Sequence, residues 1–172
     1  MTYTKTETAV RGAMVVALVG LAAAIYFGMR ERVVVVGDNA PDFSITTDKG
    51  LTLTRTNFGG KVLVLNFWAT WCAPCVEEIP SLDQFQQKLA GSGVVVLAVS
   101  VDRNPKLYDR FLKRFPVSFQ TARDPEANIS ADYGTYKYPE TYVIDRNGKV
   151  VQKVISSRDW TDPGIVNFIK SL

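Results

Sequence analysis

Uncharged positions cluster at the amino end: from Gly12 to Met29, 18 consecutive residues carry no formal charge. At about 1.5 Å per residue a helix of that length spans roughly 27 Å, close to the hydrocarbon thickness of a bilayer. Ala13 to Met29 also lacks the polar face that a helix packed on a soluble core shows to water. Residues 12–29 are therefore predicted to form one transmembrane helix, with a tail at 1–11 and a tether at 30–39. Ala22-Ala23-Ala24 has the small-x-small pattern of a cleavage site, but apolar residues continue through Ile25, Tyr26 and Phe27, which favours an uncleaved signal-anchor. Lys5 and Arg11 on one side balance Arg30 and Arg32 on the other, so charge alone gives no orientation. Inside the tether, Val33-Val34-Val35-Val36 reads as a strand packed on the domain that follows.

From residue 40 to 172 short β-rich runs alternate with helical ones, the pattern of an α/β domain around a central sheet. Phe43–Ile45 and Leu51–Leu53 flank Asp48-Lys49-Gly50 and read as a hairpin. Lys61–Phe67 and Gly93–Val101 are continuous apolar strands, and a helix is predicted from about Cys75 to Leu89 between them. Pro105–Phe115 reads as a helix, Val117–Thr121 as a short strand and Pro125–Tyr133 as a short helix. Thr141–Asp145 and Lys149–Ile155 form a second hairpin through Asn147-Gly148. Asp162 caps a closing helix with Pro163 at its first position.

Composition narrows the chemistry. There is no histidine, which removes every imidazole mechanism and every His-ligated metal. Twenty basic residues against 17 acidic ones give a net charge of only +3, spread along the chain, so a nucleic-acid partner is not expected. Two cysteines are too few for a disulfide scaffold or a closed zinc site, and no metal is expected.

Those two, in Trp71-Cys72-Ala73-Pro74-Cys75, stand where an apolar strand gives way to a helix. Unpaired N–H groups and the helix dipole at such a junction stabilise an anion, here a Cys72 thiolate. Cys72 can then attack a partner disulfide, and Cys75 can resolve the mixed disulfide. Pro74 fixes φ and withholds a donor that the first helical turn does not need. A purely structural disulfide, a zinc half-site or an accidental pair of buried thiols would each fit this strand–turn–helix context less well.

The segment Asn66-Phe67-Trp68-Ala69-Thr70-Trp71-Cys72-Ala73-Pro74-Cys75 resembles the active-site region of thioredoxin-like, membrane-anchored thiol–disulfide oxidoreductases of the TlpA/ResA/DsbE (redoxin) type. The resemblance runs from about Gly37 to the end, through Ala40-Pro41-Asp42-Phe43, Gly59-Gly60-Lys61 and Pro139-Glu140-Thr141-Tyr142-Val143-Ile144-Asp145. It implies a thioredoxin fold with an amino-terminal β-hairpin and a central insertion, for which Asp102–Tyr138 is long enough. It also implies that Pro139 is cis, packs on the CxxC and frees the backbone of Tyr138 to pair with a substrate strand. Asn66 stands where thioredoxin keeps a buried Asp, so another group must handle the Cys75 proton. Glu78, three residues after Cys75 on the same helical face, is the candidate and matches a Glu of ResA-like members. Glu77, one step round the helix, is read as a solvated acid, and Glu140 as a second carboxylate beside the site or a surface charge. Trp71, Pro74, Tyr138, Pro139 and Glu140 are the expected substrate contacts. Trp68, Phe111, Phe115 and Phe119 are read as core, and Pro80 as a structural kink.

The leading expectation is a membrane-tethered, extracytoplasmic thiol–disulfide oxidoreductase with no cofactor beyond its Cys72–Cys75 disulfide. It would reduce disulfides in client proteins, for example apocytochrome c in cytochrome c maturation, and draw electrons from a membrane donor of thiol type. Its soluble domain is expected to be a monomer. A disulfide oxidase or isomerase, or a non-catalytic redox-sensing or binding module, are the alternatives. A peroxidase is disfavoured, since the pattern P-x-x-x-T-x-x-C would need Pro at Leu65 and Thr at Ala69.

Overall fold

The computed structural model describes residues 5–28 and 33–172, which divide into two units at Arg32/Val33. Residues 1–4 and 29–32, part of the expected tail and tether, lie outside the described residues. The first unit is helix α1, Lys5–Gly28, which takes in the uncharged run as far as Gly28. Its valines and leucines, Val16 and Val19 among them, are exposed. Among the described residues no helix is long and apolar enough to cross a membrane.

The second unit is built on a five-stranded sheet. Its strands are β3 (Val62–Trp68), β4 (Val94–Ser100), β5 (Gln120–Arg123), β6 (Glu140–Ile144) and β7 (Val150–Ile155), after a separate hairpin of β1 (Ser44–Thr46) and β2 (Thr52–Thr54). The order is β5-β4-β3-β6-β7. β3 and β4 run parallel, as do β4 and β5, whereas β6 is antiparallel to both β3 and β7. The helices are α2 (Ala73–Lys88), α3 (Pro105–Arg114), α4 (Asn128–Asp132) and α5 (Pro163–Lys170).

All seven residues of β3 are buried because both faces of the sheet are covered, which is why its sequence reads as an unbroken apolar run. Val62, Val64 and Trp68 join one core with Leu82 and Phe85 of α2, Tyr108 of α3 and Ile169 of α5. Leu63, Leu65 and Phe67 join the other, with Phe43 and Ile45 of the hairpin and Ile129 of α4. Asp48 ties the hairpin to the domain: it accepts bonds from the Tyr108 hydroxyl at 2.6 Å and from Thr121. Asp162 caps α5 as expected, accepting from the N–H groups of Gly164 and Ile165.

Three expectations change. Val33–Val36 forms no strand: Val34 alone is buried, donating to the Tyr133 carbonyl at 3.1 Å, and the chain then turns at Gly37, whose φ of 101° suits glycine. β5 begins at Gln120 rather than Val117, because Asp83 of α2 accepts from both the N–H and the hydroxyl of Ser118. Phe119 is buried and Phe111 packs on the core, but Phe115 is exposed. The segment 102–138 supplies α3, β5 and α4, so it completes the sheet edge as well as covering the core.

Candidate active site

The carboxyl ends of β3 and β4 lie side by side, Trp68 paired with Ser100, and the chain leaving β3 turns through Ala69, Thr70 and Trp71 into α2. Cys72 is the residue before the helix, in extended conformation, with Pro74 in the first turn. Its carbonyl accepts the first helical bond, from Val76 N–H at 3.1 Å. Pro74 has no N–H, so the donors of Ala73 and Cys75 and the positive helix end remain to stabilise charge on the Cys72 sulfur. Cys72 and Cys75 are joined as a disulfide, with Cα atoms 5.3 Å apart. Cys72 keeps 7% of its surface and Cys75 none.

Over the disulfide lies the loop before β6. The Tyr138–Pro139 peptide bond is cis, and the Tyr138 carbonyl oxygen stands 3.4 Å from Cys72 Sγ. Pro139 is buried, its own carbonyl held by Ser156 N–H at 3.0 Å. Trp71 is 66% exposed and meets the Tyr138 ring edge-on, centroids 6.1 Å apart. Trp68, by contrast, is buried against Tyr108 and Phe111. A groove of about 430 Å³ opens beside Trp71, the residue before Cys72, lined also by Val101, Leu107, Ala127 and Tyr138 with Arg103 on its wall.

Behind the pair, Glu78 is 3% exposed. Its Oε1 accepts from Asn66 Nδ2 at 2.8 Å, and its Oε2 accepts from Arg158 N–H at 3.2 Å and Trp160 Nε1 at 3.4 Å. Asn66 also donates to Thr141 Oγ1 at 2.9 Å. Burial pushes the Glu78 carboxyl above its ordinary range, and the bonds from Asn66, Arg158 and Trp160 oppose that rise. A cleft of about 470 Å³ lined by Glu77, Glu78, Ser81 and Arg158 opens beside this residue. Glu77 is exposed, and α2 runs through Pro80 as a single helix.

Glu140 does not join the disulfide and is not a surface charge. Alternation along β6 sends Thr141 to Asn66 on the cysteine face, so Glu140 and Tyr142 point to the other. There Glu140 is buried, 2.7 Å from Lys153 Nζ and accepting from the Tyr142 hydroxyl at 2.8 Å. Sequence reasoning missed Arg158 and Trp160, which bond Glu78, and Asp102, whose Oδ2 accepts from Thr70 N–H at 2.8 Å two residues before Cys72. Asp102 had one recognisable mark, an acid at the carboxyl end of a strand next to the one that feeds the CxxC.

Residues 36–153 match the AhpC/TSA family. The chain is 37% identical over 142 residues to thiol-disulfide oxidoreductase ResA of Geobacillus thermodenitrificans, covering 81% of this chain and 80% of that one. It is 33% identical over 129 residues to ResA of Bacillus cereus, covering 75% and 74%. A crystal structure from Chlorobium tepidum, provisionally named thiol:disulfide interchange protein DsbE, superposes with a TM-score of 0.71 at 33% identity over 80% of this chain and 94% of that one. Another from the same organism, a thioredoxin-family thiol:disulfide interchange protein, gives 0.70 at 26% identity over 80% and 99%. The fold is thus thioredoxin-like, and with its cysteine pair set at the head of α2 the chain belongs to the AhpC/TSA family as a thiol–disulfide oxidoreductase of the TlpA/ResA/DsbE type.

Proposed function

We propose that this enzyme reduces disulfides in client proteins outside the cytoplasm, held to the membrane by residues 12–29. The observation that carries the direction of attack is the unequal access of the two sulfurs, with Cys72 alone reaching the surface. In the reduced enzyme the Cys72 thiolate attacks one sulfur of the client disulfide, forming a mixed disulfide and expelling the other client sulfur as a thiolate, which takes a proton from water. Cys75 then loses its proton to the Glu78 carboxylate and attacks Cys72 Sγ. The intramolecular disulfide forms, the second client sulfur leaves as a thiolate and takes a proton from water, and two electrons have passed to the client. Glu78 returns its proton to solvent along the cleft beside Arg158.

Trp71 and Tyr138 offer the client an aromatic platform. The Tyr138 N–H, which has no acceptor among the described residues, is free to bond an extended segment. An apocytochrome c client and a membrane donor of thiol type that restores the dithiol belong to the same proposal; the likeness to ResA and DsbE proteins supports the thiol–disulfide exchange that both would use. The anchor is supported by the sequence, in which the uncharged run continues to Met29, beyond the end of α1, and by the exposed apolar side chains of that helix. Residues 1–11 would stay in the cytoplasm, and residues from Arg30 on would lie outside.

Equilibration with glutathione tests the reductive direction. At the poise of a secretory compartment, roughly −180 to −210 mV, the enzyme is expected to rest almost wholly as the disulfide and, with dithiothreitol supplied, to reduce insulin. A predominance of dithiol under the same buffer would make it an oxidase. A reporter active only outside the cytoplasm, fused after Leu172, is expected to report, and a silent fusion would reverse the orientation.

A further inference from the structure

Asp102, just beyond β4, is buried and has no part in the exchange steps above. Its Oδ2 accepts from Thr70 N–H at 2.8 Å and from Ser100 Oγ at 2.6 Å, and its Oδ1 accepts from Thr70 Oγ1 at 2.7 Å. The side chain accepts three bonds, two of them from Thr70. Both Thr70 bonds fall two residues before Cys72, and the start of the same loop is anchored from the residue after β4, where Val101 N–H donates to the Trp68 carbonyl at 3.0 Å.

We propose that Asp102 is a positioning residue for the exchange reaction, fixing the turn from which Cys72 projects, and that its charge opposes the Cys72 thiolate and so keeps the couple reducing. Two residues of chain span at most about 7 Å, which puts the carboxylate on the order of 10 Å from the sulfur. At that range, in partly buried surroundings, one negative charge raises a thiol pKa by about one unit. A thiolate so opposed stabilises the dithiol less at neutral pH, and the pair gives up its electrons more readily.

The other charges around Cys72 come from several elements: Glu77 and Glu78 from α2, Arg103 from the loop that carries Asp102, Arg123 from β5 and Lys137 from the loop before β6. Glu77, Arg103 and Lys137 are exposed and screened by water. Arg123 gives its Nη1 to the carbonyls of Asp102 and Arg103, each at 3.3 Å. Glu78 lies on the Cys75 side. Asp124, just beyond β5, is also buried, but its Oδ2 accepts from Ile129 N–H of α4 at 2.8 Å, so among these groups Asp102 is the buried acid bonded directly to the loop that carries Cys72.

Asp102→Asn removes the charge and keeps the bonds. The amide oxygen takes the place of Oδ2, and the amide nitrogen donates to Thr70 Oγ1, whose hydroxyl turns to accept. In the full chain the Cys72 pKa, read from the pH dependence of its alkylation, is expected to fall by about one unit. The equilibrium with glutathione is expected to move up to about tenfold toward the dithiol, equivalent to about 30 mV. Thr70→Val, which cuts one bond and leaves the charge, is expected to lower the melting temperature without moving the Cys72 pKa. Asp102→Ser provides the same charge removal if the Asn variant does not fold. An unchanged Cys72 pKa in the folded charge-removed variant, or an equal fall in Thr70→Val, would overturn the proposal.

Discussion

Cys72→Ser is expected to abolish disulfide exchange, with insulin reduction at the uncatalysed rate, and in the reduced wild-type enzyme iodoacetamide is expected to modify Cys72 long before Cys75. Both outcomes rest on one geometric difference. Cys72 precedes the first turn of α2, where the helix dipole and the free N–H groups of Ala73 and Cys75 favour its thiolate. Cys75 lies inside that turn and has no exposed surface. The reactive species is the thiolate and not the thiol, so reactivity follows both the thiolate fraction and access, and on both counts Cys72 leads. A hydroxyl at position 72 cannot attack a disulfide, and Cys75 has no approach that would let it substitute. Equal alkylation of the two thiols, or residual turnover in Cys72→Ser, would reverse this assignment.

Glu78→Gln carries the second large effect. The carboxylate must be ionised to take the Cys75 proton, and burial has raised its pKa. Resolution of the mixed disulfide in the wild type should therefore slow as pH falls through a value above the ordinary carboxylate range. The glutamine variant should lose that limb and resolve about 10²-fold more slowly at neutral pH, while Glu77→Gln keeps the wild-type profile. Stability gives an independent reading. The folded state holds the Glu78 proton more tightly than the unfolded chain, so the protein is most stable, as far as this group is concerned, below the ordinary glutamate value of 4.5, and loses stability as pH rises through the folded pKa. Glu78→Gln should flatten that decline. The substitution leaves few bonds unmade, because flipping the Asn66 amide presents an oxygen to both the introduced side-chain amide and the Thr141 hydroxyl. Matching profiles for the two glutamine variants would mean that neither carboxylate serves Cys75.

The elements nearest the chemistry were the easiest to read. β3 and β4 are largely buried on both faces and so show unbroken apolar runs, and α2 announces its start through Pro74. Asp162-Pro163 and Asn147-Gly148 mark a helix start and a turn by local chemistry alone. The errors share a cause, dependence on partners distant in sequence. Val33–Val36 has strand composition but no neighbouring strand to pair with, and only Val34 finds a place in the core. Whether Glu140 faces the disulfide depends on the register of β6 against β3, in which Asn66 stands opposite Thr141. Arg158 and Trp160 reach Glu78 across some 80 residues, and Asp102 reaches Thr70 across 32. No periodicity encodes such contacts.

Mapping the adduct formed by Cys75→Ser is the most direct test of the central claim, that Cys72 opens the client disulfide and Cys75 closes the cycle. The reduced variant is mixed with a cystine-bridged peptide and quenched with acid, and the covalent product is digested and weighed. A stable mixed disulfide is expected, one peptide per chain, with the linkage on Cys72 and no such product from Cys72→Ser. A stable adduct on Cys75 in the Cys72→Ser chain, with none on Cys72 in its counterpart, would contradict the account.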